Sequence, residues 1–310
     1  MRTAKQGRFS YFDCAGPEWV LEPGGWKRRP TLIAVNAGPG FSHKTTTPWL
    51  SGLDNVVRVV SVDLPGCGMA SLDAHQDYSF DAYCADMEEI RRALDVERII
   101  LLGHGWGASL ACEYAIANPE RVSALVLVSP IRVFNAAGQN AEAQSRQVSK
   151  TDPTLIARYS ETVWPLFDAA LNGRGPWDPV EAQPWWGEMI LTQFASPPPR
   201  RWHASLAGTP WRLRAYGAYK GIAMSQPDSA MAAYDLADRL RYVASRPLLI
   251  VSSDHDANYV ASASHHASPL AAAAPSARLV LWNDLGHFPF VEAPDRFCEE
   301  VAAFIANVPS

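Results

Sequence analysis

The sequence predicts an α/β fold, with a mostly parallel sheet, helices on both faces and an inserted helical segment that forms a cap. Short apolar runs rich in β-branched residues alternate with longer amphipathic stretches, which is typical of buried parallel strands and their crossover helices. The alternation lapses after residue 129 and resumes at residue 247. A chain of 310 residues exceeds the usual size of one domain, which favours a core domain that carries an insertion.

The composition excludes several classes of protein. Hydrophobic residues make up 48% and charged residues 19% of the chain, which is typical of a globular protein with a large core and argues against disorder. The 27 basic and 32 acidic residues give a net charge of −5 without a basic run, so nucleic acid is not an expected partner. There is no stretch of about 18 apolar residues and no N-terminal signal segment, so no membrane association is expected.

The cysteines indicate a reducing compartment, because they are odd in number, widely spaced and without a C-x-x-C pair. They are Cys14, Cys67, Cys84, Cys112 and Cys298. Reduced thiols predict a cytoplasmic location. The expected partner is a small-molecule substrate, and the sequence leaves the oligomeric state undetermined.

The first two predicted strands cover residues 31–35 and 56–62. Each leads into a loop with glycine, Asn-Ala-Gly-Pro-Gly at 36–40 and Asp-Leu-Pro-Gly-Cys-Gly at 63–68. If the strands are parallel neighbours, both loops lie at the carboxyl edge of the sheet, where open α/β sheets bind ligands. A helix is predicted over 78–94, because its apolar residues recur at helical spacing.

The most informative stretch is Gly-His-Gly-Trp-Gly at 103–107. It joins a strand predicted over 98–102 to a helix predicted over 108–118, where a serine hydrolase has its G-x-S-x-G nucleophile elbow. Gly105 stands at the position of the serine. Glycine adopts the backbone of such a turn without the strain of about 1–3 kcal/mol that other residues pay, but it has no hydroxyl. The alternative is a plain glycine-rich turn, since the spacing differs from the G-x-G-x-x-G of dinucleotide sites.

A strand over 124–128 precedes the predicted cap at 130–246, which leaves residues 1–129 and 247–310 as the core domain. The core pattern resumes with two strands and two helices, at 247–251, 261–274, 277–281 and 295–307. The cap carries six tryptophans, Trp164, Trp177, Trp185, Trp186, Trp202 and Trp211. Buried aromatic residues often belong to a core, but together these predict the aromatic wall of a pocket. The predicted substrate-binding residues are Asn36, Trp164, Trp186 and Trp211.

Carboxylates and a histidine follow the last two predicted strands. Asp254 and Asp256 follow the first of them, and His287 follows the second. Their order after Gly105 is the order of acid and histidine in G-x-S-x-G sites. Asp256 is preferred by register and Asp254 is its rival. A surface carboxylate and an ordinary loop histidine are the alternatives.

A metal site is the other interpretation of these residues. His255, His265 and His266 lie near Asp254 in sequence but lack the spacing of metal ligands. A solvated helix face is the preferred interpretation. Neither a metal nor a cofactor is expected.

With these motifs in place, the core domain resembles the α/β-hydrolase superfamily, particularly its proline iminopeptidase-like branch. Five motifs carry the resemblance: N-A-G-P-G at 36–40, D-L-P-G-C-G-M-A-S at 63–71, G-H-G-W-G at 103–107, S-D-H-D at 253–256 and G-H at 286–287. The chain departs from the branch at three points. Asn36 replaces a histidine, the acid loop lacks its glycine, and Gly105 replaces the serine nucleophile.

The resemblance implies an α/β-hydrolase fold and a role for each site residue. Asp256 would orient His287, the base. The backbone N–H groups of Ala37 or Gly38, together with that of Trp106, would form an oxyanion hole. The peptidase activity of the branch is not expected here, because its nucleophile is missing.

Three functions follow from this pattern. The preferred hypothesis is an enzyme that uses the His–Asp dyad for non-covalent acid/base chemistry, such as cyclisation, epoxide opening or carbon–carbon bond formation. Its substrate would be an aromatic or polycyclic small molecule of secondary metabolism. The first alternative is a peptidase or esterase inactivated by a serine-to-glycine substitution at 105. The second is a non-catalytic small-molecule binding protein.

Overall fold

The computed structural model describes residues 2–6, 9–38, 41–70, 79–131, 194–195, 234–256 and 269–309. Most of the predicted cap at 130–246 lies outside the described residues. The division into core and cap therefore stays a prediction.

Of the ten strands that the structure describes, eight lie before residue 130. The ten are β1 (Arg2–Gln6), β2 (Phe9–Ala15), β3 (Trp19–Glu22), β4 (Gly25–Arg28), β5 (Thr31–Val35), β6 (Arg58–Asp63), β7 (Ile99–His104), β8 (Val122–Val128), β9 (Leu248–Ser253) and β10 (Arg278–Trp282). The helices are α1 (Phe80–Ala93), α2 (Trp106–Ala117), α3 (Leu236–Leu240), α4 (Pro289–Glu292) and α5 (Pro294–Ile305), and residues 269–273 are also helical. Short 3-10 turns lie at His43–Thr45, Thr47–Trp49, Ser51–Leu53 and Pro119–Arg121.

The large sheet has the strand order β1-β2-β6-β5-β7-β8-β9-β10, and β3 and β4 form a separate hairpin. The six strands in the order β6-β5-β7-β8-β9-β10 pair in parallel. At one edge, β1 pairs antiparallel with β2, and β2 pairs antiparallel with β6. The chain leaves β5 towards β6 on one side and leaves β7 towards β8 on the other. The carboxyl ends of β5 and β7 therefore form the switch point at which open α/β sheets bind ligands.

The core lies on both faces of the parallel strands. Every residue of β5 and β7 is buried, as expected for strands covered by helices on both sides. Ile33 and Val35 pack in one cluster with α1 and α2, whereas Leu32 and Ala34 pack in a second cluster with α5. Because alternate residues of a strand point to opposite faces, the predicted mostly parallel sheet with helices on both faces is confirmed.

The end of the segment predicted as cap packs against the core. Leu236 and Leu240 of α3 are fully buried in the same cluster as α1 and α2. Arg239 of α3 donates to the Glu113 carboxylate of α2 at 2.7 and 2.8 Å. This pairing holds the last turn of α3 against the helix that follows residue 105.

Two other expectations concern compartment and membrane. Within the part of the chain that the structure describes, no helix has the length and apolarity needed to cross a membrane. The described thiols are buried, at Cys67, Cys84, Cys112 and Cys298. The cytoplasmic location stays a prediction.

Candidate active site

A sharp turn joins β7 to α2, and two of its three glycines are required by close packing. A Cβ atom on Gly103 would lie 2.2 Å from the backbone oxygen of Gly107. A Cβ atom on Gly107 would lie 2.4 Å from the backbone oxygen of Asn36. Side chains are excluded at both positions, so β7, α2 and the loop after β5 approach one another through bare backbone.

Gly105, at the centre of the turn, differs from the other two. Its backbone has φ 57° and ψ −118°, a conformation that costs a residue with a side chain about 1–3 kcal/mol. Among the described residues, the space beside it is tight but not closed by backbone as it is at Gly103 and Gly107. A Cβ atom there would lie 3.3 Å from His287 Nε2 and 3.5 Å from Ala37 Cβ. The position therefore has a backbone that favours glycine, faces His287 and has no side-chain nucleophile of its own.

His287 and Asp256 contact each other beside this turn, as the sequence predicts from their places after β10 and β9. His287 Nδ1 lies 2.8 Å from Asp256 Oδ2, and both residues are buried. Because a carboxylate only accepts hydrogen bonds, Nδ1 carries the proton and Nε2 presents its lone pair. Nε2 is also the ring atom that faces residue 105. The imidazole is thus oriented as a base towards the centre of the turn.

The rival carboxylate, Asp254, does not approach the histidine in this way. Its backbone N–H donates to the Trp282 carbonyl at 2.8 Å, and its Oδ1 has no hydrogen-bond partner among the described residues. The structure thus pairs His287 with Asp256, the carboxylate preferred by register. Their catalytic roles stay predictions.

His104, which was not predicted as a site residue, contacts the backbone and the ring of His287. Its Nε2–H donates to the backbone oxygen of His287 at 2.9 Å, and the two rings lie 4.5 Å apart. His104 is fully buried, and burial, followed by the neighbouring His287, holds its pKa well below the usual 6.5. It is therefore neutral, with Nε2 as its donor. The only local signal is a polar residue at the end of an apolar strand.

Glu292 fixes the other end of the segment that carries His287. Its carboxylate accepts from the backbone N–H of Gly286 at 2.8 Å and from that of Ala195 at 2.9 Å. Glu292 belongs to α4, directly after the histidine. This contact restrains the loop before His287, and the sequence pattern gives no signal for it.

The loop after β5 packs closely against the start of α2. Gly38 has φ 121°, and a Cβ atom on it would lie 3.2 Å from the Trp106 side chain. Its N–H donates to Asn36 Oδ1 at 2.9 Å. The Gly38 N–H is thus engaged within the loop, which leaves Ala37 as the oxyanion donor to propose from this loop. Asn36 shapes the loop by this contact, and its predicted contact with substrate stays a prediction.

A second buried His–Asp pair, also not predicted, anchors the segment that follows this loop. His43 Nδ1 lies 2.9 Å from Asp63 Oδ2, and the His43 backbone N–H donates to Asp63 Oδ1 at 2.7 Å. A Cβ atom on Gly68 would lie 2.2 Å from Asp63 Oδ2. The Asp63 motif is therefore built to hold two loops together at the carboxyl end of β6.

The remaining predicted site residues are outside the described residues. They are Trp164, Trp186 and Trp211 of the cap, and His265 and His266 of the metal alternative. Within the described ranges, no three His, Cys, Asp or Glu residues are grouped as metal ligands. The expectation of no metal and no cofactor stays a prediction.

Comparison with known proteins agrees with the fold. The model of the Alpha/beta hydrolase family matches residues 20–300. The proline iminopeptidase of Lactiplantibacillus plantarum is 27% identical over 243 residues, which cover 73% of this chain and 75% of that protein. Epoxide hydrolase 4 of Mus musculus is 29% identical over 106 residues, 34% of this chain and 29% of that protein.

A solved structure supports the same fold. The proline iminopeptidase of Mycobacterium smegmatis superimposes with a TM-score of 0.69 and covers 98% of this chain and 97% of its own. At 17% sequence identity, this likeness supports the fold and gives no information on activity.

Proposed function

Because this chain belongs to the alpha/beta hydrolase family, we propose that it is an enzyme that keeps the base of that family but works without a covalent intermediate. In this proposal His287, oriented by Asp256, moves a proton to and from a bound small molecule. The relatives include a peptidase matched over 73% of this chain and an epoxide hydrolase matched over 34% of it, which supports catalysis over mere binding.

One observation carries the proposal. His287 Nε2 lies 3.3 Å from the point where the first side-chain atom of residue 105 would be, and that residue is glycine. The base therefore faces the centre of the elbow, while the chain has no hydroxyl there to form an acyl-enzyme. Positioned acid/base catalysis alone contributes about 10²–10⁴-fold to a rate, which is enough for a useful enzyme.

A proposed oxyanion hole limits the reactions that this site could catalyse. The backbone N–H groups of Ala37 and Trp106 lie on the loop after β5 and at the start of α2, two segments that pack together where Gly38 contacts the Trp106 side chain. Donors aimed at a developing negative charge favour reactions through an enolate, a phenolate or an alkoxide. Cyclisation, epoxide opening and carbon–carbon bond formation are reactions of this kind.

The finer features of the proposal come from the sequence. The tryptophans of the predicted cap favour an aromatic or polycyclic substrate, of the kind handled in secondary metabolism. The buried thiols favour a cytoplasmic location.

A hydrolase that has lost its nucleophile is the second candidate. The backbone of Gly105 favours it, because φ 57° and ψ −118° suit the sharp strand-to-helix turn on which a hydrolase carries its serine. In this case the chain binds a peptidase or esterase substrate but does not cleave it through residue 105.

A proton-transfer probe tests the proposal without knowledge of the natural substrate. In 5-nitrobenzisoxazole, a base removes the ring C–H proton, the N–O bond breaks and a coloured phenolate is released. We expect the protein to accelerate this ring opening and His287→Ala to lower the rate by about 10²-fold or more. His255→Ala, which removes a histidine from the neighbouring loop, is the matched control and retains the rate. Equal rates in the protein and in His287→Ala would overturn the proposal.

A further inference from the structure

A short segment from within the predicted cap contacts the part of the chain that carries His287. The segment consists of Phe194 and Ala195. The Phe194 ring stacks on Phe288, with ring centroids 5.0 Å apart and an angle of 15° between the planes, and both rings are buried. The Ala195 backbone N–H donates to the Glu292 carboxylate at 2.9 Å. The Phe194–Ala195 segment is therefore held at α4 by one apolar and one polar contact.

The Glu292 carboxylate joins this segment to the loop before the base. Its Oε2 accepts from the Ala195 N–H, and its Oε1 accepts from the backbone N–H of Gly286 at 2.8 Å. Hydrogen bonds to a carboxylate are about twice as strong as those between neutral groups. Gly286 directly precedes His287. Each carboxylate oxygen thus holds a different segment, and one of these segments carries the imidazole.

The aromatic contact reaches the base through the residue that follows it. The Phe288 ring meets the His287 ring edge to face, with centroids 5.2 Å apart and an angle of 88°. It also lies 4.9 Å from the ring of His104, which donates to the His287 carbonyl oxygen. Because packed side chains interdigitate with few voids, a change at Phe194 alters the packing of the rings around the base.

We propose that Glu292 is a positioning residue for His287, and that it ties the position of this base to the Phe194–Ala195 segment. The inference rests on the proposed function, because it gives a consequence to the position of His287 as a base. When the segment is held at α4, the carboxylate restrains the chain before His287 and the aromatic stack restrains the ring after it. Without the segment, both restraints are weakened together.

Variants of Glu292 test the positioning role. Glu292→Ala removes both acceptors, whereas Glu292→Gln keeps one acceptor oxygen and has an amide group that cannot accept from the second N–H. We expect kcat for the ring opening of 5-nitrobenzisoxazole to fall by about 10²-fold in Glu292→Ala, since a displacement of about 1 Å can cost this much. The fall should be smaller in Glu292→Gln. Glu299→Ala, which removes an exposed carboxylate of α5, is the matched control and retains kcat.

A double-mutant cycle tests the link to the segment. Phe194→Ala removes the ring that stacks on Phe288 but leaves the Ala195 N–H and the Glu292 carboxylate in the chain. We expect it to lower kcat as well. Because both contacts hold one segment, the loss in the double variant Phe194→Ala with Glu292→Ala should be smaller than the product of the two single losses. Losses that multiply, or a Phe194→Ala variant with full kcat, would overturn the link.

The ring proton of His287 separates positioning from stability. In the unchanged protein, the Nδ1 proton lies in the 2.8 Å contact with Asp256, and NMR of histidine-labelled protein measures its exchange with water. In folded Glu292→Ala and Phe194→Ala we expect faster exchange, and in Glu299→Ala the unchanged rate. A Glu292→Ala variant that loses stability but keeps kcat and the exchange rate would overturn the proposal.

Two further outcomes also decide the question. If Glu292→Ala does not fold, Glu292→Gln and Phe194→Ala undergo the same measurements, and full kcat with unchanged exchange in both overturns the proposal. If the unchanged protein does not accelerate the ring opening, the proposed function fails. The exchange rates then still show whether Glu292 positions the His287 ring: faster exchange in the variants supports this role, and equal exchange overturns it.

Discussion

His104 donates its Nε2–H to the backbone carbonyl oxygen of His287 at 2.9 Å, across 183 positions of sequence. One histidine, at the end of the strand that leads into the turn, therefore holds the main chain of the other. Phe288 and Phe290 enclose the His104 ring at centroid distances of 4.9 and 5.0 Å. Both residues are buried, so we assign His104 as a positioning residue for His287.

Replacing His104 tests that role. His104→Phe keeps an aromatic ring but leaves the buried His287 carbonyl without its donor, which costs about 1–3 kcal/mol in the free energy of unfolding. We also expect kcat for 5-nitrobenzisoxazole to fall while KM stays near its value, because the base moves and the binding surface does not. His104→Gln, which has an N–H donor, should restore part of the kcat. A Phe variant that loses stability but keeps kcat and its pH profile would reduce His104 to a structural role.

The same residue predicts how stability depends on pH. Because burial holds the pKa of His104 well below 6.5, the folded protein does not take up this proton as the pH falls, but the unfolded chain does. The free energy of unfolding therefore decreases as the pH drops below the unfolded value. We therefore expect His104 to contribute a loss of stability as the pH falls from about 7 to about 5.

Denaturant titrations at each pH measure this loss. The difference between the protein and His104→Gln should shrink as the pH falls, since the variant lacks the titrating imidazole. A difference that is constant with pH would show that residue 104 does not titrate with the shifted pKa.

Asp256 is predicted to orient the base, and Asp254 provides a matched control two residues away. Asp256→Asn no longer has a carboxylate to hold the Nδ1 proton of His287, so the lone pair at Nε2 is lost in a part of the molecules. We expect ring opening of 5-nitrobenzisoxazole to fall by about 10²-fold or more. Asp254→Asn, outside the 2.8 Å contact, should stay near the unchanged protein. The reverse ranking of the two variants would assign the acid to Asp254.

Gly105→Ser tests whether the site retains hydrolase geometry. The serine Cβ would stand 3.3 Å from His287 Nε2, which puts its hydroxyl within reach of the base. We expect the variant to react with a fluorophosphonate, with loss of fluoride and a covalent adduct seen by mass spectrometry. The unchanged protein and Gly105→Ala should not react at this position. An unreactive serine would exclude the hydrolase that has lost its nucleophile.

The parallel part of the fold was predictable because its signals are local. Buried strands such as β5 and β7 are continuous apolar runs, and α1 repeats apolar residues at helical spacing. The antiparallel edge formed by β1 and β2 was not predicted, since its pairing with β6 is set by the sheet rather than by an apolar run of its own. The packing of α3 on α2 through Arg239 and Glu113 is likewise a tertiary contact.

The candidate site divides in the same way. Asp256 and His287 were found because each follows a predicted strand, so their meeting at the carboxyl edge follows from topology. His104, the His43–Asp63 pair and Glu292 were missed because their partners are backbone atoms or side chains distant in sequence. The engagement of the Gly38 N–H by Asn36 was also missed. This hydrogen bond depends on the conformation of the loop, which no local sequence pattern reveals.

The protonation of His287 tests the central claim most directly. Nitrogen NMR of protein labelled at histidine, assigned with His287→Ala, reads the state of each ring nitrogen. In the neutral ring we predict a proton on Nδ1 and an unprotonated Nε2, because the Asp256 carboxylate accepts from Nδ1, with this tautomer lost in Asp256→Asn. A proton on Nε2 in the unchanged protein would contradict the account, because the nitrogen that faces residue 105 would then have no lone pair to accept a proton.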